Sequence, residues 1–231
     1  MKTAVITGCN RGLGEGIAKA LMDENWEVIG VNRTPSTRFK DNKMYMYKEV
    51  ICDVSDKEQI KNKLGDIKKV DLLVLNAGIR RFNSVENMGS KDWEDSVNTN
   101  LNGVFYVANK LIKKVKECKG DVIVIGSHSE KYTFENGSAY CSTKGALREF
   151  AECLMQEVRY DDVRVTYMSL GSIKNREHGG DESWKLTPEQ VGETVVNVVY
   201  LPKNVLIPYI DARPIKPLKD NKPGIEKLQY V

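Results

Sequence analysis

Short apolar runs alternate with amphipathic stretches along nearly the whole chain. The runs predict strands at Thr3–Thr7, Glu27–Val31, Tyr45–Ile51, Asp71–Leu75, Asp121–Ile125, Arg164–Met168 and Val205–Ile210. Several are unbroken Val/Ile/Leu sequences, which suits strands covered on both faces of a parallel sheet. The stretches between them carry helix-start chemistry. Ser55-Asp56-Lys57-Glu58 reads as a capping box, and Thr187-Pro188-Glu189-Gln190 as another with proline at the first helical position. Ser90 is placed to cap a helix through Trp93. Strand–helix alternation of this kind predicts an α/β fold, a doubly wound parallel sheet flanked by helices on both faces. There is no internal repeat and no interior linker. One domain is expected over 1–214. The lysine-rich segment 215–231, with two further prolines, reads as a C-terminal arm.

Composition narrows the function classes. The 231 residues carry 35 Lys and Arg against 32 Asp and Glu, a formal charge of +3 with the signs interspersed. No basic block argues for nucleic acid. No apolar run is long enough to span a bilayer, and Met1–Thr7 enters a strand directly, without signal-peptide organisation. Cys9, Cys52, Cys118, Cys141 and Cys153 are odd in number and scattered, which predicts free thiols in a reducing cytoplasm. The two histidines, His128 and His178, form no metal-ligand spacing, so no metal is expected.

The first strand–helix junction reads Thr7-Gly8-Cys9-Asn10-Arg11-Gly12-Leu13-Gly14. Its glycines let the backbone turn tightly and approach a ligand. The helix beginning near Arg11 offers free amides and a positive dipole end to a pyrophosphate. This is the signature of a Rossmann-type nucleotide-binding sheet. An acid at the end of the second strand would select NAD. Asn32 stands there instead, followed by Arg33, which with Arg11 could pair with a 2′-phosphate. NADP(H) is therefore favoured, with NAD(H) possible. Asp53 is either an acceptor for the adenine amino group or a turn acid.

Farther on, Tyr140 and Lys144 lie four residues apart in a helical segment, on one face. An ammonium close to a phenol favours the phenolate, so Lys144 is expected to lower the Tyr140 pKa and suit it to acid–base chemistry. Alone, the spacing is common among helix neighbours.

Together these motifs resemble the short-chain dehydrogenase/reductase family in its short, single-domain form, from Lys2 to about Pro214. The Gly-x-x-x-Gly-x-Gly loop, Asn76-Ala77-Gly78 after the fourth strand, the Asn-containing helix Asn98–Phe105 and Val122–Ser127 occur in the family's order. Ser127 precedes Tyr140 by thirteen residues, the family's usual interval. The resemblance implies NADP(H)-dependent reduction of a carbonyl to a secondary alcohol, or the reverse. Tyr140 would be the proton donor or acceptor, Ser127 would orient the substrate oxygen, and Lys144 would also hold the nicotinamide ribose. Asn100 would anchor a relay water. It also implies cofactor contacts from Gly8, Asn10, Arg11, Gly12, Leu13, Gly14, Asn32, Arg33, Asp53, Val54, Asn76, Ala77, Gly78, Tyr140, Lys144, Gly171 and Ile173. A small-molecule carbonyl or alcohol would be the partner, within a homodimer or homotetramer that pairs the helices of Asn100 and Tyr140. Leu101, Val104, Phe105, Leu147, Phe150 and Leu154 fit either that interface or the core.

The chain departs from the family at Leu170-Gly171-Ser172-Ile173-Lys174-Asn175, where Leu170 and Asn175 replace the usual proline and threonine. A dinucleotide-binding regulator without turnover is the alternative this leaves. Ser129 and Ser142 read as local hydrogen-bonders, and Cys141 as a buried small side chain. Arg80, Arg81, His128, Lys131, Arg176 and His178 fall in loops at the carboxyl ends of strands, where ligands bind. They point either to an acidic substrate or to solvated loop charges.

Overall fold

The computed structural model describes residues 1–39, 46–174 and 182–216. Seven strands, β1 (Thr3–Thr7), β2 (Glu27–Asn32), β3 (Tyr47–Ile51), β4 (Leu72–Leu75), β5 (Asp121–Ile125), β6 (Arg164–Leu170) and β7 (Tyr209–Ala212), form one parallel sheet in the order β3-β2-β1-β4-β5-β6-β7. β1 pairs with both β2 and β4, with Val5 opposite Ile29 and Leu73. The chain reverses its winding there, and a crevice opens at the carboxyl ends of β1 and β4.

The alternation of side chains divides the core in two. Val5, Leu73, Leu75, Val122 and Val124 point to one face. They pack against α2 (Lys57–Lys63), α4 (Gly103–Glu117) and α5 (Ser138–Val158). Ala4, Ile6, Leu72, Val74, Ile123 and Ile125 point to the other, against α1 (Gly12–Asp23) and α6 (Pro188–Val199). Since both faces are covered, the strands read as continuous apolar runs.

Several expectations move. The last strand begins at Tyr209, not Val205. Pro208 has no N–H to donate to a ladder. The carbonyls before it are taken by side chains: Val205 O by Arg164, and Ile207 O by Thr166 Oγ1 at 2.7 Å. β6 runs two residues past its expected end. Leu170, where the family has proline, keeps its N–H and pairs opposite Ala212. The expected start of β3 at Tyr45 lies outside the described residues. The helix after β3 is capped by Asp56, not Ser55; Asp56 Oδ1 accepts from the Glu58 and Gln59 N–H groups, both at 3.0 Å. Ser55 instead donates to Asp53. Gly89 precedes α3 (Ser90–Val97), so Ser90 is its first helical residue and not its cap. The Thr187–Gln190 capping box forms as expected. Val104, Leu147 and Leu154 are core residues, whereas Phe105 is exposed. Only Ile215 and Lys216 of the expected arm are described. Among the described residues, no helix is long and apolar enough to cross a membrane.

Candidate active site

The glycine loop closes β1 and opens α1. Gly8 and Gly12 have φ of +67° and +58°, in the left-handed region that disfavours a side chain. A Cβ on Gly14 would sit 2.3 Å from Gly8 O, so the helix start can approach the loop only as glycine. Space above Gly12 is open to 4 Å. Thr7 Oγ1 accepts from the N–H groups of Asn76 and Ala77 at 2.9 and 3.0 Å. The Asn76 amide donates to Thr7 O and Gly8 O, both at 2.9 Å. Asn76-Ala77-Gly78 thus buttresses the loop from β4. Asn10 ties the loop to Thr34, just beyond Arg33, through two 3.0 Å bonds. Arg11 precedes the first turn of α1, and Leu13 packs into the core beside it.

One expected cofactor contact is otherwise engaged, and a second is engaged through one of its two oxygens. Asn32 is buried and its side chain turns inward. Oδ1 accepts from Cys9 N–H at 2.8 Å, and Nδ2 donates to Glu49 at 2.7 Å and to Tyr47 at 3.0 Å. Every proton of its amide is used inside the protein, so it holds the loop to β2 and has none left for a ribose. Burial pushes the Cys9 thiol up to about 11 in this cluster. Asp53 Oδ1 accepts from Ser55 N and Oγ at 2.9 and 2.7 Å, which is turn chemistry. Val54 is buried in the core. Arg33 is exposed beside the loop.

On the same carboxyl edge of the sheet, Ser127 follows β5 after Gly126. Its Oγ accepts from Ser129 N–H at 3.3 Å, starting a 3₁₀ turn over His128–Glu130, and its side chain favours the phenolate of Tyr140. Tyr140 and Lys144 sit one turn apart on α5, with Lys144 Nζ 5.8 Å from the Tyr140 ring centre. Nζ donates to Ile125 O at 2.8 Å, so it is anchored at the end of β5. Burial holds the Tyr140 phenol above its ordinary value, opposed by the Ser127 side chain and the charge of Arg80. Burial lowers Lys144 to about 8, opposed by Glu130 and reinforced by Arg80. This corrects the expectation that Lys144 lowers the Tyr140 pKa in the protein alone. Its own charge is disfavoured, and it faces a carbonyl.

Asn100 lies in a π-turn, Asn98–Asn102, between α3 and α4. The pattern predicted plain helix; such turns recur at functional sites. Asn100 Oδ1 accepts from Ile79 N–H at 2.7 Å, and Nδ2 donates to Ile79 O at 2.9 Å and Thr143 Oγ1 at 3.1 Å. Thr143 Oγ1 in turn donates to Tyr140 O at 2.8 Å. Both amide protons are committed, so the side chain is a clamp between the β4 loop and α5. A relay water could meet only an oxygen of this residue.

The charged loop residues separate. Arg81 pairs with Asp92 at 3.0 Å, and His128 Nε2 lies 2.5 Å from Asp211 Oδ1. Lys131 rests over the Tyr209 ring at 4.5 Å. Asn175, Arg176 and His178 lie outside the described residues. Sequence reasoning passed over Glu130 and Ser172. Glu130 Oε1 accepts from Tyr209 Oη at 2.8 Å, while Oε2 is buried without a partner. Ser172, between Gly171 and Ile173, also has a buried Oγ with no partner. That stretch is held by a bridge between Ile173 and Leu186. Ser129 Oγ is a third such atom, so Ser129 bonds locally through its backbone and not its hydroxyl. Cys141 is buried, and burial raises its thiol. No pattern in the sequence distinguishes these polar atoms; their lack of partners emerges only from packing.

A glycine loop at the switch point and a hydroxyl, phenol and amine after β5 match the arrangement expected of a nucleotide-binding oxidoreductase. Residues 2–184 match the family model described as short chain dehydrogenase, and the chain belongs to that family. A 3-oxoacyl-[acyl-carrier-protein] reductase of Buchnera aphidicola is 34% identical over 75% of the chain and 74% of its own length. A serine 3-dehydrogenase of Rhizobium radiobacter is 27% identical over 92% and 94%. The closed form of a serine dehydrogenase complexed with NADP+ superposes with a TM-score of 0.82 at 26% identity, covering 91% of this chain and 94% of that one.

Proposed function

We propose that the protein is an NADP(H)-dependent oxidoreductase that interconverts a carbonyl and a secondary alcohol. The observation that carries this reading is Tyr140 one turn from Lys144, whose Nζ is anchored on Ile125 O at the end of the strand that leads to Ser127, on the same carboxyl edge of the sheet as the glycine loop. The residues fit a dinucleotide. The loop is open above Gly12, α1 presents its amino end, and Ser172 Oγ is an unspent polar atom on the segment expected at the carboxamide. Arg33 beside the loop, Asn32 in place of an acid, and the NADP+ complex of the related serine dehydrogenase support NADP(H) over NAD(H).

When bound, the nicotinamide supplies or accepts the hydride. Ser127 holds the substrate oxygen next to Tyr140. Tyr140 gives its proton to that oxygen in reduction and takes it back in oxidation, a transfer typically worth ~10²–10⁴-fold. Lys144, charged below about pH 8, supplies positive charge behind the phenol and a donor toward the ribose. Asn100 keeps Ile79 and Thr143 in register, and so fixes where Tyr140 stands. Exposed Phe105 on α4, 6.4 Å edge-on from Phe150 on α5, supports a homo-oligomer through these helices, which sedimentation tests. The free cysteines suit the cytoplasm.

The test is NADPH consumption against a panel of ketones, keto acids and keto esters. Turnover that falls with Tyr140→Phe is expected. Tight NADPH binding without turnover of any carbonyl would replace the enzyme by a nucleotide-binding regulator.

A further inference from the structure

Arg80 and Arg81 are adjacent in the loop after β4, and the fold treats them differently. Arg81 is spent on Asp92. Arg80 is exposed and has no hydrogen-bond or ion-pair partner among the described residues. Its position is nevertheless fixed from both sides. Ile79, the residue before it, is held by Asn100 through both its N–H and its C=O. Phe82, two residues after it, meets the Tyr140 ring edge-on at 5.8 Å and the Phe134 ring at 5.5 Å. A loop clamped at Asn100 and leaning on Tyr140 carries Arg80 between two residues that touch the site. The charge of Arg80 reaches both groups there, favouring the phenolate of Tyr140 and disfavouring the ammonium of Lys144. A guanidinium with five donors, none spent on a described residue, matches a carboxylate in a bidentate pair. The aromatic wall of Phe82 and Phe134 leaves the rest of the substrate an apolar surface.

We propose that Arg80 is the anion-binding residue of the substrate site, so that the substrate is a short oxo acid or hydroxy acid whose carboxylate pairs with Arg80 while its oxygen meets Ser127 and Tyr140. This rests on the oxidoreductase reading and names the substrate class for the same site. It also separates the loop cations that the sequence left together: Arg80 serves the substrate, whereas Arg81 and His128 serve the fold.

The experiment is calorimetric titration of the NADP+-loaded protein with 3-oxobutanoate and, separately, with its methyl ester. With oxidised cofactor no reduction occurs, so binding is read without turnover. The wild type should bind the acid more tightly than the ester. Arg80→Gln should weaken acid binding about 10- to 100-fold, the loss expected for a hydrogen-bonded charge pair, and abolish the preference over the ester. Arg81→Gln, whose partner is Asp92, should keep the preference. Equal affinity of the wild type for acid and ester would overturn the proposal, even in a protein that reduces neutral ketones with NADPH. A preference untouched by Arg80→Gln would overturn it too, as would a change confined to NADP+ affinity, which would assign Arg80 to the cofactor. An Arg80-dependent preference for the acid, with no turnover when NADPH is supplied, would uphold the anion site and remove the reductase reading.

Discussion

Two buried cations sit at opposite ends of the sheet. At the amino end, Arg164 of β6 makes a bidentate pair with Asp121 of β5 at 2.7 and 3.0 Å. It also donates to the carbonyls of Val199, Leu201, Pro202 and Val205 at 3.1–3.2 Å, collecting the end of α6 and the segment that leads to β7. Lys203 adds a second cation on Asp121. At the carboxyl end, Lys144 has one hydrogen bond among the described residues, to Ile125 O, and burial lowers it to about 8. The buried side-chain atoms without a partner among the described residues, on Ser129, Glu130 and Ser172, are all at this end. Arg164 is saturated and structural. Lys144 is held where it can change its proton and its partner. The difference lies in how many of the available hydrogen bonds the protein itself takes up.

Substitutions can break that contrast. The largest effect is expected for Tyr140→Phe, which should lower kcat by ~10²–10⁴-fold while leaving the unfolding midpoint nearly unchanged. Steady-state kinetics showing retained activity would remove the acid–base role. Arg164→Leu should do the reverse. It leaves the buried Asp121 carboxylate to Lys203 alone and four carbonyls without their donor, and should cost about 3–5 kcal/mol in urea unfolding, with the KM of the folded fraction unchanged. A loss below ~1 kcal/mol would mean that the amino-end network is no more structural than a surface pair.

Lys144→Met tests the other cation through pH. The folded protein holds Lys144 at about 8, against an ordinary value of 10.5. Between these values the unfolded chain keeps the proton and the folded chain releases it, so stability rises with pH across the window. Below pH 8 the penalty is complete and is worth about 3 kcal/mol. The Met variant should therefore be the more stable protein at pH 7, with an advantage that shrinks as pH rises toward 10.5. Unfolding curves whose difference is flat with pH would refute it. The smallest effect is expected for Asn32→Asp, the obvious way to seek NAD specificity. The new carboxylate would face Glu49 without the two donated protons, at a cost of about 1–3 kcal/mol. Thermal melts should show destabilisation without a change of cofactor preference. An unaltered melt with a switch to NAD would show that Asn32 reaches the ribose.

The strands, both apolar faces, the glycine loop and the Ser127, Tyr140 and Lys144 set were all legible, because each depends on local period or fixed spacing. What escaped depends on partners far along the chain. Nothing near Val205 says that Arg164 will claim its carbonyl. Nothing near Asn32 says that Glu49 and Tyr47 will occupy its amide. The π-turn at Asn98–Asn102 leaves no mark in the hydrophobic pattern, yet it places the Asn100 clamp. The Tyr140–Lys144 spacing did predict a pair on one face, but desolvation, which sets both pKa directions, is a property of the packed site.

The short last strand has a consequence for how the molecule is made. The glycine loop and its buttress are complete once Asn76 has been synthesised. The turn that begins at Ser127 receives its supports from Tyr209 and Asp211, through Glu130 and His128. At translation rates of about 5–20 residues per second, many seconds separate the two events. The nascent chain can thus settle its glycine loop early, whereas the turn after β5 waits for β7 to leave the ribosome.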